Sequence, residues 1–317
     1  LTTTGATVIE GIDFLPHSVQ FYRQQLQWLG GMGIIVLAVA ILPILGVGGM
    51  QLYRAETPGP VKDNKMTPRI ADTAKHLWYI YLTITIACAG AYWLSGMNVF
   101  DAICHAFSTV AIGGFSNHDA SLGYFNSPMV DVVCTVFLLI AALNFSLHYA
   151  AVSSRSVKGY FKDPEFKAFF IIQASLIGIC FLILTLSGYY SSAEQALDQA
   201  MIQAVSISTT AGFATTDFSV WPTFLPIMLI FSSFIGGCAS STGGGLKVVR
   251  VCLLFLQGKR EVDRLSHPKA VYSVKFGDRA MPDRVVEAVW GFFSAYAVVF
   301  VVIMIGLIAT GLDLSLI

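Results

Sequence analysis

Thr2-Thr3-Thr4-Gly5-Ala6-Thr7, Val110-Ala111-Ile112-Gly113-Gly114-Phe115-Ser116 and Ser208-Thr209-Thr210-Ala211-Gly212-Phe213-Ala214 are three versions of one short phrase, and they decide how the rest of the chain is read. Each is small, hydroxyl-bearing and uncharged, with a glycine near its end. Glycine holds a positive φ at almost no cost, where other residues lose roughly 1–2 kcal/mol. Such a loop can turn its carbonyl oxygens to one side, and stacked carbonyls can replace the water around a potassium ion. The second and third copies each follow an amphipathic segment and precede a long apolar one.

Composition fixes the solvent. The chain of 317 residues is 55% hydrophobic and 12% charged, which excludes an ordinary soluble domain. Apolar stretches run over residues 26–50, 76–95, 128–151, 168–187, 224–256 and 286–310, and each reaches the ~20 residues a spanning helix needs. In lipid the backbone must satisfy its own hydrogen bonds, so an all-α integral membrane fold is expected. The net charge of +0 conceals an asymmetry: 18 of the 19 Lys and Arg lie in Arg54–Lys75, Arg155–Lys167 and Lys247–Arg284, leaving Arg23 elsewhere. The positive-inside rule places those three stretches in the cytoplasm of a multi-pass protein. The six cysteines show no metal-ligand or redox spacing and read as reduced packing residues.

The phrases mark a repeat of helix, half-length pore helix, filter loop and helix. In the second unit Ala71–Ser95 spans outward, Asn98–Thr109 is too short to span, and Pro128–Ala151 returns. In the third, Phe166–Ser187, Ser191–Ile207 and the segment from Trp221 take the same places. An offset of 98 residues puts Gly114 on Gly212 and Asp119 on Asp217, and an offset of 109 puts Gly5 on Gly114 and Glu10 on Asp119. The organisation is therefore residues 1–53 as the end of a first pore repeat, 70–152 as the second, 165–257 as the third, and 284–317 as the outer helix of an incomplete fourth. A pseudo-fourfold, potassium-channel-like architecture follows, with three filters in this chain and both ends read as truncated.

The candidate filter residues are Thr3, Thr4 and Gly5, then Ile112, Gly113 and Gly114, then Thr210, Ala211 and Gly212, with K⁺ as the ion they would hold. Small residues also let helices approach closely, but these glycines lie between apolar runs rather than within them. Glu10, Asp119 and Asp217 each follow a filter glycine by five residues. They would either concentrate cations at an outer mouth or cap the turn leaving each loop; both readings stand. Asp101 and Glu194 fit the dipole at the start of each half-length helix.

Residues 236–246 interrupt the last inner helix with Gly236, Gly237, Ser240, Ser241, Thr242, Gly243, Gly244 and Gly245, followed by Lys247. Each glycine costs a helix about 1 kcal/mol relative to alanine. Irregular backbone at membrane depth is tolerated only where it is buried in protein or lines water. The stretch reads as a gating loop on the ion path; Lys247 either supplies a positive charge near the inner exit or marks the cytoplasmic border, and both readings stand. It lacks the spacing of a phosphate loop. The histidines are scattered, and no nucleophile is paired with a base, so no enzyme is expected.

These motifs resemble the superfamily of K⁺ transporters that includes the bacterial TrkH and KtrB pore subunits and the fungal Trk proteins, with the interruption GGCASSTGGGLK most similar to the TrkH branch. The resemblance implies potassium uptake across the bacterial inner membrane, filter glycines at Gly5, Gly114 and Gly212, and a fourth filter elsewhere. It further implies a homodimer embedded in lipid, with no nucleic acid, and a TrkA-like cytoplasmic ring that binds a nucleotide, NAD or ATP, and acts on the loop. No cofactor is implied for this chain itself. The rival reading is a Na⁺- or H⁺-coupled carrier of the same superfamily.

Overall fold

The computed structural model describes residues 2–7, 9–36, 70–267, 270 and 272–311. The expected continuation of the first inner helix beyond Val36, the connection to residue 69 and the last residues of the chain lie outside them. The chain divides into two compact units, one running to Val248 and the other beginning at Val249.

In the first unit, α1 (His17–Val36) follows the first glycine loop. Next come α2 (Ile70–Leu94) and the half-length α3 (Val99–Val110). Asn98 sets the start of α3 by accepting from the Asp101 N–H at 2.8 Å, a capping bond that satisfies one of the orphan donors of the first turn. After the second glycine loop the chain returns through α4 (Pro128–Ala141) and α5 (Phe145–Ser154), followed by the short α6 (Lys158–Lys162). The third repeat has α7 (Pro164–Leu186), capped by Asp163, and α8 (Ala193–Ser208), capped by Ser192. It returns as α9 (Leu225–Ser233), and a loop leads to α10 (Val248–Ser266). Cys180, Leu184, Ala196, Ala200, Ala204, Trp221, Leu225 and Leu229 form one buried cluster that holds α7, α8 and α9 together.

Among the described residues, α2 from Lys75, α7 and α11 (Asp283–Ala309) are continuous, apolar and long enough to cross a bilayer. The expected returning helix over 128–151 is not continuous: α4 and α5 meet at an angle of 88°. The elbow has a physical cause. Ala142 O accepts from Cys238 N at 2.8 Å and Phe145 N donates to Ser240 O at 3.1 Å, so two backbone groups are taken by the glycine-rich loop. Asn144 caps α5 through Ser146 N. The segment over 224–256 is likewise two helices, as its glycines required.

The second compact unit contains most of α10, a hairpin of Lys275–Phe276 with Arg279–Ala280, and α11. Arg260 Nη1 bonds Asp283 Oδ1 at 2.6 Å, and Arg250 lies over the Phe292 ring at 4.2 Å. These contacts tie α10 to the start of α11.

Two glycines two residues apart on α1 separate packing from propensity. A Cβ on Gly31 would come within 2.8 Å of Tyr81 Oη and 3.0 Å of Ala111 Cα, whereas one on Gly33 would meet nothing within 4 Å. Gly31→Ala should therefore destabilise the detergent-solubilised protein by about 1–3 kcal/mol through overpacking. Gly33→Ala should stabilise it by about 0.5–1 kcal/mol through helix propensity. Melting temperatures that move in opposite directions check both.

Candidate functional site

The three glycine loops share a backbone conformation that is costly to hold. Positive φ recurs two residues apart in each: Thr3 (55°) and Gly5 (73°), Ile112 (52°) and Gly114 (76°), Thr210 (70°) and Gly212 (87°). Threonine and isoleucine are β-branched, and for them a left-handed φ is a genuine outlier, costing of order 1–3 kcal/mol each. Such strain, repeated at corresponding places, marks a site. The half-length helices feed the loops identically. Ile112 N bonds Thr109 O at 3.0 Å and Gly113 N bonds Ser108 O at 2.8 Å, while Thr210 N bonds Ile207 O at 3.0 Å and Ala211 N bonds Ser206 O at 2.8 Å.

The loops also converge. A Cβ on Gly5 would collide with Gly113 O and lie 3.3 Å from Ala211 O, and one on Gly114 would collide with Ala211 O. Thus the structure brings together, backbone to backbone, residues that are 100 or more positions apart in sequence for the first and second loops. Here absence of a side chain is a geometric requirement, and the φ values add a second one.

A polar stripe on α1 supports this assembly, and sequence reasoning missed it. Gln20, Arg23, Gln24 and Gln27 are all buried. Gln20 Nε2 donates to Ile12 O at 2.8 Å and Asn117 O at 3.3 Å, and Gln24 Nε2 to Asn117 Oδ1 at 3.3 Å. Arg23 reaches Thr7 Oγ1 at 3.2 Å and lies over the Phe115 ring. Gln27 Nε2 donates to Gly113 O at 2.7 Å. The signal was present in the spacing i, i+3, i+4, i+7, which puts all four on one helical face. Three of the four precede the apolar run that begins at residue 26, which masks the stripe. The third loop has a different support, Ser206 Oγ donating to Phe213 O at 2.7 Å.

Two of the acids beyond the loops accept backbone N–H bonds. Asp119 Oδ1 accepts from Ile12 N at 3.0 Å, linking the turns that leave the first and second loops, and Asp217 Oδ1 accepts from Ser219 N at 2.9 Å. Glu10 is exposed. Beside them, His118 bridges two carboxylates, with Nδ1 on Asp13 Oδ1 and Nε2 3.3 Å from Asp101 Oδ2. Burial lowers the His118 pKa, but its bonds to Asp101 and Asp13 outweigh that and raise it above the ordinary 6.5. Asp13 is lowered, chiefly by its bond to His118. Burial opposes ionisation of Asp101, yet the His118 and Asn117 bonds hold it down at about 2. Asp101, read from sequence as a helix-dipole residue, is thus also the anchor of this cluster. His105 bonds Asp101 O and Ser116 Oγ, both at 2.9 Å, and braces the turn after the second loop.

The glycine-rich loop lies against the glycine loops themselves. A Cβ on Gly243 would be 3.1 Å from Thr209 O and 3.5 Å from Ile112 Cδ1. Gly244 N donates to Thr210 Oγ1 at 2.8 Å, and Thr242 Oγ1 to Val110 O at 3.0 Å. Gly237 O accepts from Val248 N at 3.1 Å, and Ser241 Oγ donates to Cys238 O at 2.7 Å. Gly236 and Gly245 hold φ of 72° and 75° and pack on each other, so a Cβ on Gly245 would be 2.8 Å from Gly236 Cα. Ser240 keeps a left-handed φ of 55°. Lys247 is 8% exposed and donates to Ser241 O and Gly243 O. Its ammonium needs acceptors because burial removes its water, and the loop's own carbonyls supply them.

The sequence matches the family described as TrkH, cation transport protein, over residues 1–317. It is 68% identical over 315 residues to the Trk system potassium uptake protein TrkH of Vibrio parahaemolyticus, covering 99% of this chain and 65% of that protein. It is 63% identical over 313 residues to the protein of the same name from Escherichia coli K12, with coverage of 99% and 65%. The crystal structure of the potassium transporter TrkH from Vibrio parahaemolyticus superposes with a TM-score of 0.88 at 63% identity, over 99% of this chain and 64% of that one. The chain spans about 65% of the length of the curated relatives it matches. On its whole-length match, its helical repeats and its converging glycine loops, this chain belongs to the TrkH family of membrane cation transport proteins.

Proposed function

We propose that this chain supplies three of the four filter loops of a potassium-selective pore in the bacterial inner membrane. The observation that carries the reading is the left-handed φ at Thr3, Ile112 and Thr210, two residues ahead of Gly5, Gly114 and Gly212, in loops that converge. A chain alternating in this way presents carbonyl oxygens to one side, where they replace the hydration shell of K⁺. The family membership and the potassium uptake named for its relatives support the choice of ion. Potassium then moves down its electrochemical gradient, with about 2.3 kcal/mol per charge for each 100 mV of membrane potential. Glu10, Asp119 and Asp217 lie on the outer side and the basic loops in the cytoplasm.

Residues 236–246 are the gate of this pore, pressed beneath the second and third filters by Gly243 and Gly244. A cytoplasmic, nucleotide-binding, TrkA-like ring on a homodimer of the full-length protein would move it. The alternative, a Na⁺- or H⁺-coupled carrier, has one observation in its favour: Asp131, in the first turn of α4, is a buried carboxyl group at 5% exposure.

The decisive measurement is ⁸⁶Rb⁺ uptake into proteoliposomes carrying the full-length protein, with K⁺ and Na⁺ as competitors. K⁺ should block uptake far better than Na⁺, and an imposed Na⁺ or H⁺ gradient should leave the rate unchanged; a gradient-driven rate favours the carrier. Gly114→Ser, whose Cβ collides with Ala211 O, should bring Na⁺ within about tenfold of K⁺ as a competitor. Lys247→Met removes the donor to Ser241 O and Gly243 O. It should loosen the gate and raise uptake about ten- to a hundredfold at unchanged selectivity, since one charge-assisted bond is worth about 1.5–3 kcal/mol.

The His118 bridge gives the outer mouth a pH dependence. Its raised pKa makes its stabilisation complete below about 6.5 and lost as pH rises through the folded-state value. Asp13 and Asp101 lose theirs only as pH falls through lowered values, about 2 for Asp101. The melting temperature should fall as pH rises above about 6.5, and His118→Gln should flatten that slope.

A further inference from the structure

Gln27 engages both ends of its amide while only 1% exposed. Nε2 donates to Gly113 O at 2.7 Å, and Oε1 accepts from Ser108 Oγ at 2.7 Å and from Phe115 N at 3.2 Å. The amide cannot turn over. Reversing it would set its NH₂ against the Phe115 N–H and its oxygen against the Gly113 oxygen, trading bonds for two repulsions. One side chain on α1 therefore grips the second glycine loop on both sides of Gly114, and Ser108, on the helix that feeds the loop, fixes the grip.

The repeat shows that this device belongs to one loop. At the offsets of 109 and 98 that align the units, Val136 and Phe234 stand where Gln27 stands in the first. The counterparts of Gly113 are Thr4 and Ala211, which carry a Cβ. At Gly113 that space is taken by the Gln27 amide, with Nε2 only 2.8 Å from where a Cβ would be. A residue without a side chain and a glutamine that fills the gap make one fitted pair across two repeats.

We propose that Gln27 is a positioning residue that sets ion discrimination at the second filter loop, a role that rests on the potassium-filter reading above. Discrimination against the smaller Na⁺ requires that carbonyl oxygens neither close in on it nor present too strong a field. The Gln27 donor acts on both. It restrains the Gly113 oxygen from moving, and it draws on a lone pair that would otherwise belong to the ion. Without the donor, the carbonyl is free to follow a smaller cation.

The test compares wild type, Gln27→Leu, Ser108→Ala and Thr85→Val in the full-length protein, by ⁸⁶Rb⁺ uptake with K⁺ and Na⁺ as competitors. Thr85→Val removes the acceptor of a part-buried bond from Trp28 Nε1 of α1 without touching a glycine loop, and so reports a merely structural loss. Gln27→Leu should reduce the Na⁺/K⁺ ratio of inhibitory concentrations by about tenfold, the equivalent of one buried hydrogen bond. Thr85→Val should lower the melting temperature and leave that ratio alone. A folded Gln27→Leu protein with the wild-type ratio overturns the proposal, as does an equal change in Thr85→Val. If Gln27→Leu does not fold, Ser108→Ala decides, because it removes the donor that orients the amide. A ratio lowered about threefold supports the role, and an unchanged ratio overturns it. Wild-type uptake without preference for K⁺ would instead defeat the filter reading itself.

Discussion

Carbonyl oxygens repel one another, and a fold that crowds Gly113 O and Ala211 O beside Gly5 must hold them there from behind. Most of the first compact unit can be understood as the apparatus for doing so. The half-length helices α3 and α8 end in matching hydrogen bonds that launch each loop. Left-handed threonines and an isoleucine store strain that only dense surroundings can sustain. Buried side chains then secure what helix geometry cannot: Gln27 at the second loop and Ser206 at the third.

The supports differ although the loops match. Repeated units built on one plan would be expected to solve the same problem alike, yet the second loop is held from α1 and the third from its own half-length helix. Beyond the loops the second is tied to the first through Asp119, Asp13 and His118, while Asp217 caps its own turn. Pseudo-symmetry is therefore a property of the backbone of the converging loops and not of the side chains that maintain it. The third repeat has its own apolar cluster and is bonded to the second as well, through Gly123 N to Ala214 O at 3.2 Å and Ala214 N to Ser121 Oγ at 3.2 Å.

Legibility in the sequence followed the same division. The loops, the half-length helices and the broken inner helix were all readable, because glycine, helix length and spacing are local properties. The helix ends predicted at Ser95, Thr109 and Ser187 fall at Leu94, Val110 and Leu186. What could not be read depended on residues distant in sequence. The elbow at Ala142–Asn144 sits in an apolar run and is made by bonds from Cys238 and Ser240. The His118 cluster draws on Asp13 and Asp101 from different repeats. Lys247 could be read as a border charge because lysines near helix ends usually are, and the acceptors that bury it come from the folded loop alone.

That elbow makes the glycine-rich loop and the second repeat's returning helix parts of a single mechanical element. Cys238 N and Ser240 O are the partners of Ala142 O and Phe145 N. Pulling the loop away leaves a carbonyl and an amide stranded in apolar surroundings, at a cost of several kcal/mol if neither finds a replacement. Two replacements exist: water that follows the loop, or the helix's own groups as α4 and α5 straighten and rejoin their ladder. Either way intermediate positions would be penalised, which would make any displacement all-or-none rather than graded. Were the loop to gate as proposed, a ligand favouring one end state would work against this hinge, and the midpoint of its response would be set as much by the backbone at Ala142 as by its own contacts.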